Sequence, residues 1–334
     1  MRIHTRGGRA QCRILAILFL LIVLPGIARP QKLQGPQNPK ADPYTIKVDV
    51  NMVVLHATVE SHKGVLVSGL SQSDFQVYED GVLQEIKNFS HEDIPVTAGL
   101  VIDNSGSMAP KRQEVIMAAL AFAHSSNPQD QMYVVSFNEH VRFGLPANTL
   151  FTDQVGQLQV ALSSMASDGE TALYDAVAAA LEHLKKGNRD KKVLIVVSDG
   201  ADNASKHELK EIISTAVQSD AIIYALGLYE PDDPDKNPGV LKELARATGG
   251  EAFMPESLKE IVPICERVAR DIRNQYTIAY TPANRKQDGA YRVIQVKAVA
   301  PGRRRVSVRT RAGYYAPSIP QAMPANAANQ GSQP

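Results

Sequence analysis

At 334 residues, 44% of them apolar and 21% charged, with 22 Gly and 20 Pro, the chain has the composition of a globular protein. That excludes a collagen, a coiled coil and a wholly disordered chain, and the length suits two domains of ordinary size. Formal charge is +1, but the first 28 residues hold four arginines (Arg2, Arg6, Arg9, Arg13) and no acid; the rest carries 32 basic against 35 acidic side chains, so nothing electrostatic points to nucleic acid as a partner.

The four arginines precede an unbroken apolar run from Ile14 to Leu24, followed by Pro25, Gly26, Ile27 and Ala28. A charged start, a short apolar stretch and small residues at the end describe a cleaved secretory signal over 1–28. Eleven apolar residues fall short of the ~20 that cross a bilayer. After cleavage no membrane span is expected, and the protein is secreted or held in the periplasm or cell envelope. Cys12 goes with the signal and leaves Cys265 alone, so no internal disulfide is expected.

Residues 29–44 are rich in Pro, Gln and Lys without periodicity and read as a linker. From 45 to 92 apolar residues alternate: Ile46, Val48, Val50; Val53, Leu55, Ala57; Phe75, Val77, Glu79, with Gly64, Gly69 and Asp80-Gly81 between the runs. Period two with turn punctuation predicts short antiparallel strands. From 93 to 274 the texture changes. Wholly apolar strands at 98–102, 132–137, 193–197 and 221–226 alternate with amphipathic helices over 171–186, 206–218 and 258–274, the first placing Leu173, Val177, Leu181 and Leu184 on one face. Strands buried on both faces and separated by helices predict a doubly wound, mainly parallel α/β sheet. Alternation returns over 275–315 (Tyr276, Ile278, Tyr280; Val293, Gln295, Lys297; Val306, Val308), and an uncharged tail over 316–334 is expected to be disordered. Each β segment holds too few strands for a stable sheet, so the two are expected to pair into one small antiparallel sandwich that flanks or encloses the α/β block.

The chemistry gathers where the first α/β strand ends. Gly99-Leu100-Val101-Ile102 runs into Asp103-Asn104-Ser105-Gly106-Ser107, at the carboxyl edge where open parallel sheets bind ligands. Asp103, Ser105 and Ser107 alternate, so one carboxylate and two hydroxyls can face the same way. An oxygen-only set of low charge suits a hard cation, Mg²⁺ first, with Mn²⁺ or Ca²⁺ as alternatives. Taken alone, the three residues are a weak signal and read more readily as turn and helix N-cap residues ahead of Pro110. Two further pieces join them. Thr171, in Asp168-Gly169-Glu170-Thr171, is a helix cap or a hydroxyl ligand, and Asp199, in Ser198-Asp199-Gly200, brings a second carboxylate to the same edge.

Together these segments resemble the metal-ion-dependent adhesion site of the von Willebrand factor type A family, whose motif is D-x-S-x-S, then Thr, then Asp. The resemblance implies metal ligation through Asp103, Ser105, Ser107, Thr171 and Asp199. It also implies a coordination shell completed by a carboxylate from a protein partner. One departure is Gly-Glu-Thr where relatives often carry Gly-Gly-Thr: Glu170 either adds negative charge near the metal or points to solvent. Asn104 and Glu170, with Asp232 and Asp233 of the acidic loop over 229–239, would form the rim that meets the partner. The leader around Gly69-Leu70, Asp74-Phe75-Gln76-Val77 and Glu79-Asp80-Gly81, with the closing Arg311-Ala312-Gly313-Tyr314-Tyr315, is similar to a bacterial subgroup of exported type A domain proteins. No H-E-x-x-H, G-x-S-x-G or phosphate-binding loop occurs, and no non-enzymatic reading is strained by the eight scattered histidines. The expectation is an exported, non-enzymatic adhesion or interaction module. The alternative is an envelope assembly component in which the metal only braces the loops.

Overall fold

The computed structural model describes residues 52–164, 167–229, 237–300, 302 and 305–318. The expected signal, the linker, Ile46 to Val50, most of the tail, and Asp232 and Asp233 lie outside the described residues.

The α/β block is built on β5 (Val96–Asp103), every residue of which is buried. A strand with no polar face must be covered on both sides, and its neighbours are equally apolar. β6 (Gln131–Phe137) and β8 (Lys191–Ser198) flank it in parallel, with Leu100 opposite both Val134 and Ile195. β9 (Ile222–Gly227) extends the sheet beyond β8, and β7 (Val141–Phe143) folds back antiparallel on β6. With the two-residue β10 (Ala252–Phe253) the described sheet has the order β10-β9-β8-β5-β6-β7.

Six described helices cover its faces in two packed groups. α1 (Arg112–Ser125) lies against α2 (Val155–Ser163) and α6 (Ile261–Arg273), while α3 (Leu173–Leu184), α4 (Leu209–Gln218) and α5 (Pro238–Thr248) follow one another. The stripe expected on α3 is buried at all four positions, Leu173, Val177, Leu181 and Leu184. α6 begins later than the periodicity suggests, because Ser257 caps a separate 3₁₀ turn at Leu258–Glu260. α5 opens on Pro238, whose missing N–H costs nothing in a first turn, and closes on Gly249 in the left-handed conformation (φ +83°).

The remaining strands come from both sides of this block. β1 (Val53–Ser61) pairs antiparallel with β11 (Tyr276–Tyr280) and β13 (Val306–Arg309), and β4 (Ile86–Ser90) adds to β11. A second sheet joins β2 (Phe75–Glu79), β3 (Val82–Gln84), β12 (Tyr291–Ala298) and β14 (Gly313–Tyr315) in the order β14-β12-β2-β3. Leu55, Ala57, Tyr276 and Ile278 of one sheet share a core with Phe75, Val77, Ile294 and Val296 of the other. Chain segments that precede and follow the α/β block therefore pair residue by residue, Val53 with Tyr280 and Thr58 with Arg309.

One reading needs correction. On β12 the alternating residues Val293, Gln295 and Lys297 face outward, and the core face is Arg292, Ile294 and Val296. The buried charge obscured the phase: Arg292 pairs with buried Glu79 at 3.1 Å and donates to the Lys286 carbonyl, and this pairing lets it occupy a core position.

Candidate metal centre

Parallel register brings the chemistry together. Ile102 sits opposite Val197, so β5 and β8 end level and Asp103 and Asp199 emerge at one edge. Asp103 Oδ1 accepts the backbone N–H of Ser105 at 2.9 Å, which turns the chain sharply after the strand. Ser105 then caps a 3₁₀ turn over Gly106–Lys111 in extended conformation, but its hydroxyl makes no capping bond. That hydroxyl lies 3.2 Å from Ser107 Oγ, and Ser107 Oγ donates to Asp199 Oδ2 at 2.6 Å. Two hydroxyls and the Asp199 carboxylate are thus linked in a chain of oxygens, and the Asp103 carboxylate is tied to its start through the Ser105 N–H.

The loop carrying Thr171 is fastened to the same place by backbone bonds. Asp168 N–H donates to the Asn104 carbonyl at 2.9 Å, and Gly106 N–H to the Gly169 carbonyl at 3.2 Å. Thr171 is buried; its N–H donates to Asn203 Oδ1 at 2.8 Å and its carbonyl accepts from Asn203 and Ala204. The cap of α3 is Ala172 rather than Thr171, so the threonine hydroxyl is not spent on starting that helix. Glu170 is exposed, and its N–H donates to Glu139 Oε2 at 3.2 Å. Asn104 is buried between Asp103 and Ser105, and its N–H donates to the Phe137 carbonyl at 2.7 Å.

Sequence reasoning passed over Ser198. It is fully buried, donates to Asp103 Oδ2 at 2.6 Å and accepts the Gly200 N–H at 3.0 Å, which orients the first carboxylate from the neighbouring strand. Its position one residue before Asp199 was the only available signal. Asn203, which anchors Thr171, and Asn138, whose Nδ2 donates to the Asp168 carbonyl at 2.9 Å, carried no signal at all.

Burial is the main reason that the Asp103 carboxyl is pushed up to about 6; the charge of Asp199 adds to it, against the hydrogen bonds from Ser105 and Ser198. A buried carboxylate close to a second one is stabilised by a cation placed between them. Among the described residues no three His, Cys, Asp or Glu side chains gather at one point. The donors on offer are therefore two carboxylates with hydroxyls, a set that fits a hard, water-retaining cation better than zinc held by His or Cys.

The profile of the von Willebrand factor type A domain matches residues 99–265, half of the chain. A solved von Willebrand factor type A protein from Catenulispora acidiphila shares 14% identity over 81% of this chain and 75% of its own, with a TM-score of 0.49. The BatB protein of Bacteroides thetaiotaomicron shares 17% over 53% of this chain and 98% of its own, at a TM-score of 0.44. Proximal thread matrix protein 1 of the mussel byssus, with a zinc-occupied adhesion-site motif, shares 16% over 55% of this chain and 49% of its own, at 0.45. No curated protein matches the chain. With half its length in the family profile and the α/β sheet that family builds, the chain belongs to the von Willebrand factor type A domain family.

Proposed function

We propose that the protein is an exported, non-enzymatic binding module that grips a carboxylate of a protein partner through a divalent cation. Asp103, Ser105, Ser107, Thr171 and Asp199 would hold the cation, Mg²⁺ in the first instance. The bound ion would act as a Lewis acid toward a carboxylate oxygen. The observation that carries this reading is the oxygen chain from Ser105 through Ser107 to Asp199, beside a buried Asp103, with no capping bond from the Ser105 hydroxyl and with Ala172, not Thr171, at the cap of α3. With only two carboxylates, a site holding Mg²⁺ stays near neutral and leaves coordination positions for an incoming anion. Export rests on the sequence of residues 1–28. Among the described residues no helix is long and apolar enough to cross a membrane.

Calorimetric titration of Mg²⁺ into the wild type and Asp103→Ala tests the site; binding in the first and none in the second is the expected result. Capture of partners from the native envelope, with and without chelator, tests the use. Loss on chelation supports adhesion, and retention supports a scaffold whose metal only braces loops. An absence of Mg²⁺ and Mn²⁺ binding to the wild type would overturn the assignment.

A further inference from the structure

Asp103 and Asp199 are set by the level ends of β5 and β8, and Ser105 and Ser107 follow Asp103 closely in the chain. Thr171 has no strand of its own. It lies on the segment between α2 and α3, so hydrogen bonds from other elements must fix its place.

Those bonds converge on the turn between β6 and β7. Asn138, which follows the last residue of β6, holds both ends of the Thr171 loop. Its Nδ2 donates to the Asp168 carbonyl at 2.9 Å, and its main-chain carbonyl accepts the Ala172 N–H at 2.9 Å. Its Oδ1 accepts the His140 N–H at 2.9 Å, which leaves the Nδ2 end of the amide to meet the loop. The neighbouring backbone closes a ring. Asn104 N–H donates to the Phe137 carbonyl at 2.7 Å, Asp168 N–H donates to the Asn104 carbonyl at 2.9 Å, and Asn138 returns to Asp168. The first metal loop, the β6–β7 turn and the Thr171 loop are thereby joined in one cycle of hydrogen bonds. The fit is close: a side chain at Gly169 (φ +84°) would collide with the Glu139 carboxylate of the same turn.

We infer that Asn138 is a positioning residue of the metal centre, which grips the loop on either side of Thr171 and so sets where that ligand is presented to Ser105 and Ser107. The inference rests on the proposed metal reading and adds to it a residue that acts through the backbone. Among the described residues Asn138 makes no hydrogen bond to any of the five proposed ligands.

The competing assignment is a plain turn residue, since asparagine is common where a tight turn needs an acceptor and His140 uses it so. Asn138→Asp separates the two. A carboxylate keeps the acceptor for His140 and leaves the main-chain bond to Ala172 in place. It removes only the donor to the Asp168 carbonyl, an oxygen that it then repels. Charge works in the opposite direction, because a negative group added beside the centre raises its affinity for a cation.

Calorimetric titration of the full protein with Mg²⁺ is expected to show affinity about 10–100-fold lower in Asn138→Asp than in the wild type. Amide hydrogen exchange in chelator gives a readout without metal. The Asp168 and Gly106 amides, which tie the Thr171 loop to the first metal loop, are expected to exchange about tenfold faster in Asn138→Asp, while the His140 amide keeps its wild-type rate. Unchanged or raised Mg²⁺ affinity, or loop amides that exchange at the wild-type rate, overturns the inference. A wild type that binds neither Mg²⁺ nor Mn²⁺ overturns the metal reading on which it rests, and the exchange rates then decide the grip on the loop by themselves.

Discussion

Arg309 of β13 donates to Asp271 Oδ2 of α6 at 2.8 Å, across the join between the sandwich and the α/β block. Asp271 is 2% exposed and also accepts from Tyr224 of β9 and Thr58 of β1, both at 2.7 Å. Arg309 further meets Glu251 at 3.0 Å and Glu60 at 3.4 Å. One buried carboxylate therefore ties three strands and the last helix together. Asp271→Ala leaves Arg309, Tyr224 and Thr58 without their shared acceptor, and a loss of about 3 kcal/mol in urea unfolding is expected. Asp271→Ala combined with Arg309→Met should lose less than the sum of the two single changes, because the uncompensated charge is gone.

Acid sensitivity is expected to pass through His56. It lines the cleft between β1 and the start of β8, and its imidazole is pushed down to about 3, first by burial and then by the positive charges of Lys191 and Arg311. In the unfolded chain the same ring takes up a proton near 6.5. Between those values the unfolded state binds the extra proton, so stability is lost as pH falls from 6.5 toward 3. At pH 4 the loss from this group is about 3 kcal/mol. Asp130, pushed up to about 6 by burial, acts with the opposite sign over part of the range. The informative quantity is the difference: His56→Gln should lose about 3 kcal/mol less than wild type between pH 7 and pH 4. Equal losses would show that His56 does not carry the effect.

Much of the fold was legible because its strongest signals are periodic. The unbroken apolar strands β5, β6, β8 and β9 and the α3 stripe need no knowledge of partners, since burial on both faces or along one stripe is written in the residue order. β7 was not, because three residues with an exposed Arg142 and Phe143 offer no pattern. The phase of β12 misled for a different reason: Arg292 sits in the core only because Glu79, itself buried, comes from a strand more than 200 residues away. The oxygen set at the candidate centre was readable from three loops at the ends of strands. Ser198 and Asn203 were not, because their duty is to hold a neighbour and serine or asparagine in a loop has many bland uses.

Ser198→Ala tests that supporting duty. Asp103 Oδ2 would lose its 2.6 Å donor and the Gly200 N–H its acceptor. If the metal is held as proposed, Mg²⁺ affinity should fall about 10–100-fold, with the far-ultraviolet spectrum unchanged. Unaltered affinity would show that Asp103 needs no help from β8.

Gly99 lies in the middle of β5 with no room for a side chain. A Cβ there would stand 2.5 Å from Tyr133 Cζ and 2.7 Å from Leu194 Cδ2. Tyr133 cannot withdraw freely, because its hydroxyl donates to the Ala180 carbonyl of α3 at 2.6 Å. Gly99→Ala is expected to cost about 1–3 kcal/mol by overpacking, measured by urea unfolding. No loss would mean that the ring and its helix move together.

Removing residues 276–334 tests whether the leading strands depend on the trailing ones. β1 has two strand neighbours, β11 and β13, and both lie in the deleted stretch, while β2 would lose β12 and keep only the three-residue β3. Leu55, Ala57, Phe75 and Val77 would lose the opposing Tyr276, Ile278, Ile294 and Val296 and face water. A hairpin and two lone strands, β1 and β4, do not hold a sheet in water. The α/β block keeps all six of its strands, since β5 to β10 end at Phe253. Limited proteolysis of the shortened protein is therefore expected to cut within 52–92 rapidly and to spare 96–273. Persistent protection of 52–92 would show that the leading segment folds against the α/β block by itself.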